Sequence, residues 1–458
     1  MRLHARPLSA YYPRMSRPRT VIVGAGIVGL TTAYFLARAG REVIVIDRDE
    51  IGDGASYGNA GLLSIGHYPL TRPGVSWRGF KWMFDRNAPL FIRPRPDADL
   101  LSWLWTFHRH CNQSWLDRCM KELCAMGFPT LELFEEIIAV EGIECDYRRD
   151  GWLDVVLKKE NMASAEAEAK TLVPHGYSHT VISGDELRRR SPCFTDEVAG
   201  AVWYRDSAHC SPGDFMMGLG AACARLGVEI RTSCTVAGLE RDRFGKAAGI
   251  HTSRGETIEG SAVVISAGVW SDALTRDMGL DIPMQGARGY HLQYEGIPQL
   301  PFTGCVLHET FVAVTPMHEQ LRLAGTLEIQ PLGRPWMRNR LDMLPAGAKR
   351  YIKGIEQGTQ VAEWAGYRPC TSDGMPVIGA VPGTPGLFVG AGHAMMGMTL
   401  GPITGKVLSD MVMGAPPPLL LPMADPARYA INGGSSARYE GSAPANGAPP
   451  RETAGLRS

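Results

Sequence analysis

The chain has 458 residues, 45% of them apolar and 21% charged, with 47 basic and 47 acidic side chains and therefore a formal net charge of zero. That length exceeds one simple core and points to two domains, while the balanced charge gives no global field toward nucleic acid or acidic lipid, so no nucleic-acid partner is expected. The first sixteen residues lack the apolar run of a secretory leader, no uninterrupted apolar stretch is long enough to span a bilayer, and the ten cysteines are scattered without a CxxC pair, which argues for free thiols and against a metal site.

In chain order, Val21-Ile22-Val23 reads as a strand, Gly24-Ala25-Gly26-Ile27-Val28-Gly29 as a turn, 30–39 as a helix stopped by Gly40, and 42–46 as a second strand closed by Asp47. This is a βαβ unit of the usual length. A glycine-rich loop follows over 52–66. Residues 75–140 carry five tryptophans (Trp77, Trp82, Trp103, Trp105 and Trp115) and read as helical after a proline-rich break. Helices are expected over 161–172 and 213–226, and strands over 151–157, 228–232, 236–240 and 261–267. From 289 the pattern becomes β-rich, with strands over 291–294, 311–315 and 321–326 and a helix over 343–351. Glycines return at 366–379, and a last helix is expected over 399–413. From 415 the chain is rich in Ala, Pro, Gly and Ser and reads as disordered, as do residues 1–16.

The Gly24-x-Gly26-x-x-Gly29 motif lies where a dinucleotide fingerprint must lie, after a strand and at the opening of a helix. Gly24 permits a tight turn, Gly26 allows backbone to approach a pyrophosphate, and Gly29 lets helix and strand touch. The helix N-terminus supplies oriented amides and positive partial charge. Asp47 is placed for ribose hydroxyls, which disfavours a 2′-phosphorylated ligand; the neighbouring Arg48 weakens that preference. A second glycine-rich block at the far end of the chain suits a cofactor long enough to need a second contact region.

These blocks resemble the D-amino-acid-oxidase-like flavoproteins, and more closely their D-amino-acid dehydrogenase branch. The resemblance rests on 21–50, on Gly54-Ala55-Ser56-Tyr57-Gly58-Asn59-Ala60-Gly61, which looks like the family's loop beside the isoalloxazine ring, on Val264-Ile265-Ser266-Ala267-Gly268-Val269-Trp270-Ser271, on Gly366-Tyr367-Arg368-Pro369 through Gly379, and on the glycines of 390–405. Arg288-Gly289-Tyr290-His291, and Thr315-Pro316-Met317 followed by Leu321-Arg322-Leu323-Ala324-Gly325-Thr326, are similar to hydroxyproline-acting members. The resemblance implies a mixed α/β (α+β) fold in which a Rossmann-like FAD-binding domain (17–75, 190–280 and 365–414) interleaves with a β-rich substrate domain (76–189 and 281–364). It implies FAD, held non-covalently, with Cys370 the residue that puts this in doubt. The contacts it implies for FAD are Gly24, Ala25, Gly26, Ile27, Val28, Gly29, Asp47, Arg48, Ala55, Ser56, Asn59, Ala60, Gly61, Leu62, Val236, Ala267, Gly268, Trp270, Gly392, Gly397, Met398 and Thr399.

The resemblance also places Arg368 above the flavin, where its planar fork suits a substrate carboxylate. Tyr290 has two readings: it closes the pocket and donates to that carboxylate, or it is a core tyrosine whose hydroxyl the backbone satisfies. His393 either lies near the ring or packs its loop. The expected reaction is oxidative deamination of a small D-amino acid or D-hydroxyproline-like substrate, by hydride transfer from Cα to the flavin, with electrons passed to a quinone or another acceptor. A glycine- or sarcosine-type oxidase using oxygen, and a flavin-bound subunit of a larger complex, stay open as alternatives. So does assembly with like or unlike chains. The expected location is the cytoplasm, with the tryptophan-rich segment read either as substrate-domain core and lid or as a peripheral contact with the inner face of a membrane.

Overall fold

The computed structural model describes residues 18–431 apart from Phe84, so the disorder expected for 1–16 and for the tail beyond 431 lies outside the described residues. The fingerprint folds as β1 (Arg19–Val23), α1 (Ile27–Arg38) and β2 (Glu42–Ile46). β1 and β2 sit in a six-stranded sheet ordered Val377–Ala380, Leu387–Ala391, Ala262–Ile265, β1, β2, Glu229–Arg231, parallel throughout except at its first pair. Strand alternation sends Ile22, Val43, Val45 and Val264 to one core and Val21, Val23, Ile44, Ile46, Val263 and Ile265 to another. A sheet buried on both faces is what the near-continuous Val/Ile runs require.

Against the first of these faces lie α1 and α2 (Gly397–Met413). The two helices meet through glycine. A Cβ on Gly401 would come 2.3 Å from Ile27 Cγ1, and one on Gly405 would come 2.3 Å from Thr31 Oγ1. Thr31 Oγ1 instead donates to the Gly401 carbonyl at 3.0 Å. Because Ile27 opens α1 and Gly401 lies one turn into α2, this contact brings both helix N-termini to the same edge of the sheet.

The second unit is a nine-stranded sheet. Its long strands β3 (Met284–Glu295), β4 (Gln320–Ile329) and β5 (Thr359–Thr371) run in the order β5-β3-β4, followed by Val312–Met317, Gly304–Leu307, Trp152–Val156, Gly200–Tyr204 and His179–Ser183, with Leu90–Ile92 beside β4. One face carries Tyr290, Leu292, Leu323, Val314 and Leu153, and buries them against Leu341 and Leu344 of the helix Arg338–Ala348. The other face turns toward the first unit, and at its far end Val156, Val202 and Tyr204 join the core that holds α1.

Two expectations are corrected. Gly200–Tyr204 belongs to the large sheet, pairing with Trp152–Val156 and His179–Ser183, so a domain boundary at 190 falls too early. Nor is the chain disordered from 415: Leu419, Leu421 and Met423 pack on the main core, Ala424 accepts from Ile378 N at 2.8 Å, and Ala430 bridges to Leu280. The sparse apolar content of this segment is concentrated in a few anchors, and Arg428 adds a polar one. Its Nε donates to Asp373 Oδ2 at 2.8 Å and its Nη2 to the carbonyls of Met375 and Pro376 at 3.1 and 2.9 Å, with the Asp373 side chain only 3% exposed. Arg428→Ala therefore leaves a buried carboxylate without its cation and is expected to cost about 3–5 kcal/mol. Urea unfolding checks this, and Asp373→Ala added to it should cost far less than the sum of the two single losses.

Candidate functional site

The first part of the site is backbone. Gly24 sits at φ 113°, a value L side chains rarely adopt, and a Cβ there would lie 2.4 Å from the Ser266 carbonyl oxygen. A Cβ on Gly29 would lie 1.9 Å from the Gly24 carbonyl oxygen, so helix and strand touch only because position 29 has no side chain. Gly26 is the helix N-cap, and the first amide bonded within the helix is Leu30, to Gly26 O at 2.9 Å. Ile27 N is taken by Ser56 Oγ at 3.0 Å. Helix geometry then leaves the amides of the first turn pointing out of α1 as anion donors.

Asp47 ties this turn together, its Oδ2 accepting from Ala25 N at 2.6 Å and its Oδ1 from Asp49 N at 2.9 Å; burial raises its pKa against the effect of those two bonds. Arg48 stacks on the Trp270 ring at 3.6 Å from its centroid. Cys234 N donates to Asp47 O at 2.8 Å and brings Val236, two residues on, to the same edge. Ala267 and Gly268 continue from the Ser266 carbonyl that Gly24 touches. Asn59 Oδ1 accepts from Gly61 N at 2.8 Å, and Ala55 and Ala60 lie in the same loop. From the other end of the chain Thr399 Oγ1 reaches Leu62 O at 3.5 Å, with buried Met398 beside it and Gly397 opening α2; Gly392 follows the strand Leu387–Ala391 at φ 76°. These contacts tie the Gly24–Gly29 turn to Asp47, Ser56 and Ser266, and the start of α2 to Leu62.

The second part is the inner face of the large sheet. In the antiparallel pair β3–β5, Ala287, Gly289, His291 and Gln293 lie opposite Arg368, Gly366, Trp364 and Ala362, and directly opposed residues share a face. On that face Arg368 lies across Gly289, where a Cβ would be 1.1 Å from its Nη1. The Nη1 is sealed from solvent and has no hydrogen-bond partner, and no carboxylate pairs with this guanidinium among the described residues. Burial lowers its pKa. A cation left this way calls for an anion from outside the chain.

Tyr290 does not join it. Alternation places it on the opposite face, fully buried, with its hydroxyl donating to Glu328 Oε2 at 2.6 Å. It is a core tyrosine, with a carboxylate as its partner. His393 is 3% exposed, shares a hydrogen bond with Thr404 Oγ1 at 3.0 Å, and is pushed down to about 4 by burial, so a neutral ring packs its loop. Cys370 is buried and pushed up to about 12, which keeps it a protonated thiol. Sequence reasoning gave no role to His291, Arg322 and Trp364, which share the inner face with Arg368. The signal was present in Leu321-Arg322-Leu323, a cation between two residues that the outer core must bury.

The profile of the FAD dependent oxidoreductase (DAO) family matches residues 19–411. The D-amino acid dehydrogenase of Xylella fastidiosa (strain M23) is 31% identical over 425 residues, which cover 90% of this chain and 96% of that protein. That of Methylobacterium nodulans is 30% identical over 432 residues, covering 90% and 99%. Among solved structures, glycine oxidase from Geobacillus kaustophilus superposes with a TM-score of 0.70 at 22% identity over 89% of this chain and 98% of that one. L-proline dehydrogenase from P. horikoshii gives 0.68 at 18% identity over 90% and 98%. These likenesses fix the fold.

If Asp47 organises the turn around FAD, Asp47→Ala should weaken FAD retention by about 1–3 kcal/mol, the scale of two lost backbone bonds. Titration of apoprotein with FAD measures this, and turnover of the fully loaded variant should change far less.

Proposed function

We propose a reaction for a chain that belongs to the FAD dependent oxidoreductase family: oxidation of the Cα–N bond of a small amino acid, a D-amino acid or a D-hydroxyproline-like compound, with electrons passed to a quinone or another acceptor. The observation that carries this reading is Arg368, a guanidinium with a sealed, unbonded Nη1 and no carboxylate partner, on the face that meets the dinucleotide unit. The naming of relatives about 30% identical over nearly their whole length as D-amino acid dehydrogenases supports the substrate class.

FAD, when bound, supplies the two-electron acceptor for the hydride that leaves Cα. The part played by the chain's own residues is orientation. Arg368 takes the substrate carboxylate in a bidentate fork and fixes the direction of Cα–H. His291, pushed down to about 3 by burial and by Arg322 and Arg368, stays neutral and adds no further charge beside that carboxylate. The amine must be uncharged as hydride leaves; the iminium that results loses a proton, and an acyclic imine is hydrolysed by water to the oxo acid and ammonia, whereas a cyclic imine keeps its nitrogen on the carbon chain. FAD is held without a covalent bond, in keeping with the protonated thiol of Cys370.

Arg368→Lys keeps the charge but loses the fork, and should raise the apparent substrate dissociation constant strongly with FAD content intact. Arg368→Ala should cost about 2–5 kcal/mol. An amine without the carboxylate should be a poor substrate for the native enzyme and nearly indifferent to both changes. Equal losses with and without the carboxylate, or FAD lost from the Lys variant, would remove Arg368 from the site.

A quinone acceptor would favour peripheral contact with a membrane. No helix among the described residues is long and apolar enough to cross one. Trp103 and Trp115 serve the fold, donating to the carbonyls of Cys370 at 3.0 Å and Asp373 at 2.8 Å. Leu101 and Trp105, one turn apart on the helix Ala98–His110, are instead 60% and 64% exposed, and Trp77 is 65% exposed nearby in sequence. This is the amphipathic pattern of an interfacial contact. In liposome flotation the native protein should rise with the vesicles and a Leu101→Ser, Trp105→Ser variant should stay below; a native protein that stays at the bottom with neutral and anionic lipid alike ends the reading.

A further inference from the structure

The loop of residues 55–62 presents three consecutive carbonyl oxygens to the inner face of the large sheet, and each is met by a side chain of that sheet. Arg322 Nη1 donates to Tyr57 O at 3.2 Å and to Asn59 O at 2.7 Å, and His291 Nδ1 lies 3.1 Å from Gly58 O between them, where it can act only as the donor. The other nitrogens of Arg322, Nε and Nη2, both go to Gln293 Oε1, at 3.3 and 2.9 Å. Arg322 is 4% exposed, all of its hydrogen bonds go to neutral oxygens, and it forms no ion pair among the described residues. A buried cation without a counter-charge costs stability, and packing alone would be served as well by an apolar side chain. Three aligned carbonyls at the end of a turn carry partial negative charge, which a cation at that end offsets.

Peptide planarity gives this clamp a direction. Each amide points opposite to the preceding carbonyl, so fixing Tyr57 O and Asn59 O toward the sheet turns the amides of Gly58 and Ala60 away from it. We infer that Arg322 and His291 are positioning residues that set the peptide planes of this loop, so that the sheet carrying the substrate cation also orients the backbone donors that meet the flavin ring. The inference rests on the reading of 54–61 as the loop beside that ring.

The test uses full-length apoprotein titrated with FAD, followed by the absorption bands and reduction midpoint of the bound flavin. Arg322→Met should raise the FAD dissociation constant about tenfold or more, the scale of lost charge-assisted bonds, and shift both bands and midpoint. Arg322→Lys, which returns the cation, should recover most of each. His291→Asn should give a smaller shift in the same direction, and it decides the matter if the Met variant does not fold. Ala60→Leu, which puts bulk where the ring is expected, separates the two readings. If Ala60→Leu perturbs the flavin while Arg322→Met and His291→Asn leave affinity and spectrum native, the positioning role is wrong. If all three leave the flavin untouched, the loop does not lie at the ring. Equal losses in the Lys and Met variants would assign Arg322 to packing and overturn the inference.

Discussion

Backbone-to-backbone contact is the constraint on which the site depends. α1 can begin directly on β1 only because Gly29 rests on the Gly24 carbonyl, and α2 can cross α1 only because Gly401 and Gly405 rest on Ile27 and Thr31. These approaches bring two helix N-termini together, and with them two sets of outward amides and two positive dipole ends. Residues almost the whole chain apart thereby meet at one edge of the sheet. The side chains that finish the cradle, Asp47 and Ser56, bond to the turn itself and tie it to the loop beyond.

The large sheet divides its labour by alternation. Tyr290, Glu328, Leu292 and Leu323 serve the outer core and its covering helix, while Arg368, His291 and Arg322 serve the face that meets the dinucleotide unit. The charged groups on the two faces are treated differently. On the outer face Tyr290 donates to Glu328, and Arg340 gives its Nη1 and Nη2 to the carbonyls of Arg86, Ala88, Pro89 and Leu327, while its Nε, like that of Arg288, has no partner. On the inner face Arg368 Nη1 has no partner. Arg95, Arg288 and Arg340 each keep hydrogen bonds on their other nitrogens, whereas the Arg368 guanidinium makes no hydrogen bond or ion pair among the described residues.

The dinucleotide half was legible because its chemistry is local: strand, Gly24-Gly26-Gly29, helix and Asp47 lie within thirty residues, and each has a stated physical duty. Arg368 was singled out by the signature around it, and its burial without a partner is visible only in the fold. The side on which Tyr290 falls was not, because facing depends on the register of β3 against β5, which is a property of two strands and not of one. The roles of Arg322 and His291 were hidden for the same reason, their partners Tyr57, Gly58 and Asn59 lying more than two hundred residues away. The segment 415–431 misled through composition, since a few anchors such as Met423, Ala424 and Arg428 order a stretch whose average reads as disorder.

The order of strands in the six-stranded sheet bears on how the molecule is made. β1 lies between β2, which follows it at once, and Ala262–Ile265, which itself pairs with Leu387–Ala391. At ribosomal rates of about 5–20 residues per second, the first strand to emerge waits tens of seconds for its outer neighbours, and the Arg428 anchor appears later still. Through that interval a Val/Ile-rich edge is open to unwanted pairing. Against such pairing the nascent chain itself offers α1, which packs on one face of β1 and β2. The edge at which the N-termini of α1 and α2 meet is complete only once α2 has been made.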